Sequence, residues 1–213
     1  MKLTVFLSSL LAAASLNGAT ITVATQPLDF TSFSPVVNAS GGLVADGSGF
    51  VAIGVTTLSD VQIGNIGSDY AALTAFQSDF VQFGSSSTFG GAGVFNEPSL
   101  FSFGTSASTA GVNPFSGNPI LLVVGNGASL AASTELFIYE FGTNYGTDAP
   151  LFTADVNTTQ AGTVLFGSTE AGIALPNAGT HNGFQMGAVA PVPEPSTTLI
   201  GILGVLGLIR RRR

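Results

Sequence analysis

Chemistry in this chain has little to draw on: one histidine, twelve carboxylates and no cysteine among 213 residues. A nucleophile–base pair would need His181 as its base. His181 lies in NAGTHNGFQ (177–185), beside an Asn182-Gly183 pair that reads as a turn. No Gly-x-Ser-x-Gly elbow is present to supply the nucleophile. An exposed turn position is the plainer assignment for this histidine. Without cysteine, thiol catalysis and Cys-based zinc sites are excluded, and one histidine cannot build a His-rich metal site. Residues 3–209 contain no lysine, which removes Schiff bases, Ser-Lys dyads and P-loop chemistry.

Carboxylate chemistry survives this elimination. A glycosidase needs two acids flanking a sugar, and sequence spacing sets no two of these acids face to face. The chain also lacks tryptophan, and its only tyrosines are Tyr70, Tyr139 and Tyr145, a thin supply of aromatic platforms. Calcium is the better use of the acids. Its candidates are Asn144 and Asp148 in TNYGTDAP (143–150) and Asp46 in VADGSG (44–49). Neither stretch has the spacing of an EF-hand loop, and solvated turns account for both. No catalytic residue is expected, and no cofactor beyond calcium.

The charge distribution narrows the partners. The five cations are Lys2, Arg210, Arg211, Arg212 and Arg213, and all twelve carboxylates lie between Asp29 and Glu194. Residues 3–209 therefore carry −12 against +5 at the ends, for a net −7. A surface without cations cannot neutralise phosphates, so nucleic acid is excluded as a partner. The acidity keeps an otherwise uncharged Gly/Ser/Thr-rich surface soluble through self-repulsion.

The two ends carry the sharper signals. Lys2, the uncharged run Leu3–Leu16 and the small residues up to Ala19 have the layout of a secretory signal peptide, with cleavage expected after Ala19. This implies export through the Sec machinery. At the other end, Thr197–Ile209 is uncharged and mostly aliphatic, followed at once by Arg210–Arg213. As a helix it would be ~20 Å long against a hydrocarbon core of ~30 Å, a short transmembrane span. Snorkelling arginines and bilayer thinning make such a span tolerable. The arginines would stay cytoplasmic and hold the rest of the chain outside. Before the span stands Val192-Pro193-Glu194-Pro195-Ser196, where two prolines stiffen an extended, exposed peptide around one carboxylate.

Pro-Glu-Pro, a short apolar helix and an arginine cluster, in that order over residues 192–213, resemble the PEP-CTERM sorting domain of bacterial surface proteins. The resemblance implies recognition and cleavage near Pro193-Glu194-Pro195 by an exosortase-like processing enzyme. It further implies transient membrane anchoring, then a cell-surface or extracellular location, often among exopolysaccharide.

Residues 20–190, between a signal peptide (1–19) and the sorting signal (191–213), are long enough for one well-formed core. GFVAIGVTT (49–57), PILLVVGN (119–126), ELFIYEF (135–141) and GTVLFGS (162–168) read as strands. Turns are expected at Asp46-Gly47, Gly125-Asn126-Gly127 and Asn182-Gly183. SDYAALTAFQSDFVQFG (68–84) spaces Leu73, Phe76, Phe80 and Phe83 for one amphipathic helix, capped by Ser68 and ended by Gly84. FGSSSTFGGAG (83–93) and 101–119 read as loops or loose strand ends. The expected fold is an antiparallel β-sandwich ectodomain with one short helix. Two function classes fit it. One is a structural or adhesive surface protein; the other is a carbohydrate- or calcium-dependent binding module.

The leader reading has a direct test. Residues 1–30 fused ahead of a reporter should carry it out of the cytoplasm and lose about 19 residues in transit. N-terminal sequencing of the exported reporter reads the cut, and an intact reporter retained in the cytosol overturns the reading.

Overall fold

A computed structural model describes residues 19–26, 32–90, 97–107, 114–146 and 153–192. Three apolar runs form its spine. Phe50–Val55 (β3), Pro119–Gly125 (β6) and Glu135–Asn144 (β7) pair antiparallel, with Val51 opposite Val124, Ile53 opposite Leu122 and Val123 opposite Ile138. Alternation along a strand sends neighbouring side chains to opposite faces. Val51, Ile53, Leu122, Val124, Phe137 and Tyr139 thus enter one core, while Phe50, Ala52, Val123 and Ile138 enter a second. Both faces are buried, which is why PILLVVGN reads as a continuous apolar run; in GFVAIGVTT, Val51, Ile53 and Val55 share one face as expected, while Phe50 and Ala52 are buried on the other. Val81–Gln82 (β4) extends the sheet beside β3. Gly162–Phe166 (β9) and Gly187–Ala188 (β12) lie in succession along the other edge of β7.

The inner face packs on a second, three-stranded sheet. Its middle strand is Ala19–Ala24 (β1), antiparallel to Ser102–Ala107 (β5) and parallel to Thr153–Asn157 (β8). Ala19, Ile21, Val23 and Val156 share one core with the inner residues of the spine and with Phe83, Phe89, Phe101 and Tyr145. A third sheet joins Ser168–Leu175 (β10) to Gly179–Gln185 (β11), with Val36–Val37 (β2) parallel to β11. Its satellite core holds Phe33, Val37, Leu100, Ile173 and Leu175. The chain is mainly β with mostly antiparallel pairing, as expected, and the parallel pairs β1–β8 and β11–β2 depart from the expectation.

Two short α-helices, not one, cover the outer face. Asp60–Gly64 (α1) starts at Ser59, whose backbone N–H donates to Gln62 Oε1 at 3.0 Å, the return arm of a capping box. A 3₁₀ turn at 65–67 leads to Tyr70–Asp79 (α2). The expected helix over 68–84 is shorter than its aromatic spacing suggests. Asp69, and not Ser68, is the N-cap: its Oδ1 accepts from Ala71 N–H at 2.8 Å. The helix ends at Phe80 because Val81 and Gln82 leave it to pair with Val55 and Gly54. Leu73 and Phe76 pack outside the sheet with Ile63 and Ile66, whereas Phe83 crosses to the inner core, so the stripe serves two layers.

The Asp46-Gly47 turn forms as expected, with Gly47 at φ +73°. The Asn182-Gly183 turn does not: both residues lie within β11. The glycine there answers a close approach, since a Cβ on Gly183 would stand 2.1 Å from the Pro35 carbonyl oxygen. Six strands, β1, β2, β8, β10, β11 and β12, appear where the sequence signals no strand, and β5 appears in a stretch that reads as loop. Among the described residues no helix is long and apolar enough to cross a membrane; the span expected at 197–209 lies outside them.

The helix boundary is checkable. Asp69→Ala removes the acceptor at the cap and should cost ~1 kcal/mol in equilibrium unfolding. Ser68→Ala should stay within about 0.5 kcal/mol of the parent protein.

Candidate functional site

The tail leaves the domain from the outer helical side. Gly187 and Ala188 pair with Leu136 and Glu135 of β7. Val189 N–H then donates to the Thr134 carbonyl at 3.0 Å, and Ala190 N–H donates to the Ile66 carbonyl at 2.9 Å. Ala190 is buried, and two residues later Val192 is 67% exposed. The described chain therefore passes from buried to exposed between Ala190 and Val192. Beside Val192 lies a groove of about 310 Å³ lined by Tyr70, Leu73, Gln77, Ala131, Val189 and Val192 among others, with no charged side chain on its walls among the described residues. Of the expected sorting residues, Val192 is described; Pro193, Glu194, Pro195, Ser196 and Arg210–Arg213 lie outside the described residues, as does the leader 1–18. Ala19, the expected cleavage residue, heads β1, is fully buried and pairs with Ala107.

The calcium candidates are not gathered. Asp46 is an exposed turn residue at the Gly125 end of β6, next to Gly49. Asn144 pairs opposite Pro119 at the other end of that strand, ~20 Å away at the usual strand rise. Its side-chain amide is engaged, donating to the Gly117 carbonyl at 2.9 Å. Asp148 lies outside the described residues. Among the described residues no three acid or histidine side chains converge on a point that could hold a metal ion. His181 is a half-buried strand residue and not an exposed turn one. Its Nε2 lies 2.8 Å from the Ala178 carbonyl oxygen, and its ring meets Phe33 edge-on with centroids 5.1 Å apart.

The fold does bring together two acids that are 80 positions apart in the sequence. Asp60, in the first turn of α1, and Glu140 of β7 line one cleft with Thr56, Ile63, Asn118 and Leu165. Burial, with the neighbouring Asp60 charge as a smaller cause, raises the Glu140 carboxyl above the ordinary carboxylate range. The cleft measures about 60 Å³, room for a water or two and too small for a sugar ring. Thr56 also donates from Oγ1 to Asp79 Oδ2, and Thr57 adds its backbone N–H and its hydroxyl, the latter at 2.8 Å. The Thr56 hydroxyl is the largest cause holding Asp79 below its ordinary value, followed by the Thr57 backbone N–H. Among the described residues one acid is buried outright: Glu97 is 1% exposed, with Oε1 accepting from Asn177 N–H at 2.6 Å and Oε2 without a hydrogen-bond partner among those residues.

A larger hollow of about 420 Å³ opens over β10 and β11 beside Ser34, Glu170 and Asn182. Phe184 lines it but is only 9% exposed, and among the described residues no tyrosine joins it. Tyr139 and Tyr145 are buried in the inner core, and Tyr70, the one large aromatic exposed among the described residues, belongs to the exit groove.

These features define a β-rich domain from whose rim a short signal tail emerges. Residues 191–213 match the PEP-CTERM protein-sorting motif. The motif marks an exported chain handled by an exosortase-like enzyme and sorted to the surface in association with the membrane. No curated protein and no solved structure matches the chain.

Two carboxylates titrate with opposite sign. Asp79 is depressed in the fold, so its contribution is present above its unfolded value near ~3.9 and is lost as pH falls through the folded value. Asp79→Asn should cost ~1 kcal/mol at neutral pH, discounted for solvent screening, with the gap narrowing in acid. Glu140 is raised, so its contribution is complete below ~4.3 and is lost as pH rises through the folded value. Glu140→Gln should stabilise the domain by at most ~1 kcal/mol at neutral pH and by nothing measurable near pH ~3. Urea midpoints across pH check both.

Proposed function

We propose that this chain is the precursor of an exported surface or extracellular-matrix protein with a non-catalytic, structural or adhesive ectodomain. Residues 1–19 act as the leader for Sec export. Residues 20–190 form a β-sandwich with a helical cover. Residues 191–213 form the sorting signal: Val192–Ser196 is the recognition peptide, Thr197–Ile209 the short membrane helix, and Arg210–Arg213 the cytoplasmic stop. The observation that carries the reading is the sorting-motif match beginning one residue after Ala190, the last of the described residues whose backbone N–H is bonded to the domain. A cut by a membrane-embedded enzyme at Pro193-Glu194-Pro195 would release or transfer the whole domain, the fate that the tail's order supports.

The choice of a non-catalytic ectodomain is supported by the small volume of the Asp60–Glu140 cleft and by the strand position of the one histidine. The second reading, a carbohydrate- or calcium-dependent binding module, draws on the hollow beside Glu170 and Asn182. It stands second because the aromatic ring that lines that hollow, Phe184, is almost wholly buried and offers no open platform. Exopolysaccharide is the matrix in which either would act.

An epitope tag after Arg213 tests the sorting reading. In a host with an exosortase the tag should part from the domain; in a host without one it should stay attached. Glu194→Ala should leave uncut precursor in the membrane. Replacing the four arginines by serine should weaken both retention and orientation, because no other cation lies in the last hundred residues. A tag that stays attached in both hosts reduces the tail to an anchor.

A further inference from the structure

The exit geometry constrains the processing enzyme. Ala190 is held by the Ile66 carbonyl, and Glu194 follows four residues later. Four residues of extended chain reach at most ~14 Å, so an active site that encloses Pro193-Glu194-Pro195 must lie against the domain. The surface it meets is the uncharged groove of Tyr70, Leu73, Gln77, Ala131, Val189 and Val192. Tyr70, Ala131 and Val192 are exposed there. The rest of the domain is acidic, with no lysine or arginine anywhere in residues 3–209. Anionic lipid headgroups would repel such a surface. A protein lip with an apolar centre and a basic border would complement it, and charge complementarity of that kind steers encounter and fixes register.

Resting on the sorting reading above, we propose that the exit groove is a docking surface for the exosortase-like enzyme, so that cleavage reads the folded domain together with the tail. The groove supplies apolar contact at the point where the substrate peptide begins. Its uncharged floor leaves the enzyme's basic border to meet Asp69 and Glu135, the chain neighbours of the lining residues Tyr70 and Thr134. Binding energy from this remote contact would be used at the scissile peptide, as it is for any substrate that is recognised beyond its reacting bond.

The experiment follows cleavage of the full-length, C-terminally tagged precursor in an exosortase-bearing host. One variant is Tyr70→Lys with Ala131→Lys, both at exposed positions, with protease resistance checked to show the fold is kept. A second carries a Gly/Ser spacer of about twelve residues between Pro191 and Val192, which moves the domain ~19 Å away while the motif-to-arginine spacing stays intact. Docking predicts that both are cut about tenfold more slowly than wild type. Wild-type rates in either variant overturn it. Faster cutting of the spacer form means that the rim only obstructs, and faster cutting of the lysine form means that the rim faces lipid; each overturns the proposal. A wild-type precursor left uncut is a separate result: it defeats the sorting reading, and this inference falls with it.

Discussion

Burial of both faces of the β3–β6–β7 spine is the constraint on which the rest of the domain depends. A sheet with two apolar faces needs two covers. The inner cover is the β5–β1–β8 sheet, reached through Ile21, Val23 and Val156. The outer cover is the pair of helices, reached through Ile63, Ile66, Leu73 and Phe76. Each cover has its own consequence for the ends of the chain. The inner one takes in the first described residue, Ala19. The outer one supplies Ile66, the residue that holds Ala190 before the tail departs.

The second constraint is the missing cation. No carboxylate between residues 3 and 209 can find a lysine or arginine in that span, so neutral donors must serve. Asp79 takes the hydroxyls of Thr56 and Thr57, Asp69 takes the Ala71 N–H, and Glu135 takes the Ala39 N–H at 2.9 Å. The Asp69 bond caps a helix locally, while those of Asp79 and Glu135 tie loops to a helix and a strand over long sequence distances, as ion pairs do elsewhere, and without the dependence on two long flexible side chains. The abundant Ser and Thr of the chain thus have a structural use besides coating its surface.

How much was legible follows from where each signal resides. PILLVVGN was legible because burial on both faces forces an unbroken apolar run, and GFVAIGVTT because Val51, Ile53 and Val55 share one face. β10 and β11 were not, because their exposed, Gly- and Thr-bearing faces leave no period to read. Asn182-Gly183 imitates a hairpin turn, yet its glycine exists to let the Pro35 backbone come close. The aromatic stripe of 73–83 was read as one face of one helix, although Phe83 belongs to a different layer. The sorting tail was legible because its parts are consecutive in sequence and act as a linear address. The Asp60–Glu140 cleft was not, because only the tertiary packing of α1 beside β7 and β9 brings those acids together.

The position of β1 bears on timing. It is the earliest described strand in the chain, yet it occupies the middle of its sheet, between partners that begin at residues 102 and 153. A polypeptide that threads a narrow channel from its N-terminus delivers β1 long before either neighbour. Such distant pairings close slowly, since the loop entropy must be met before the contacts form. Inside the cell the same delay works in the other direction, because the chain cannot complete its core while synthesis is still short of Asn157. The topology thus favours a slack, threadable polypeptide until nearly all of it has crossed, and compaction on the far side would then oppose its return.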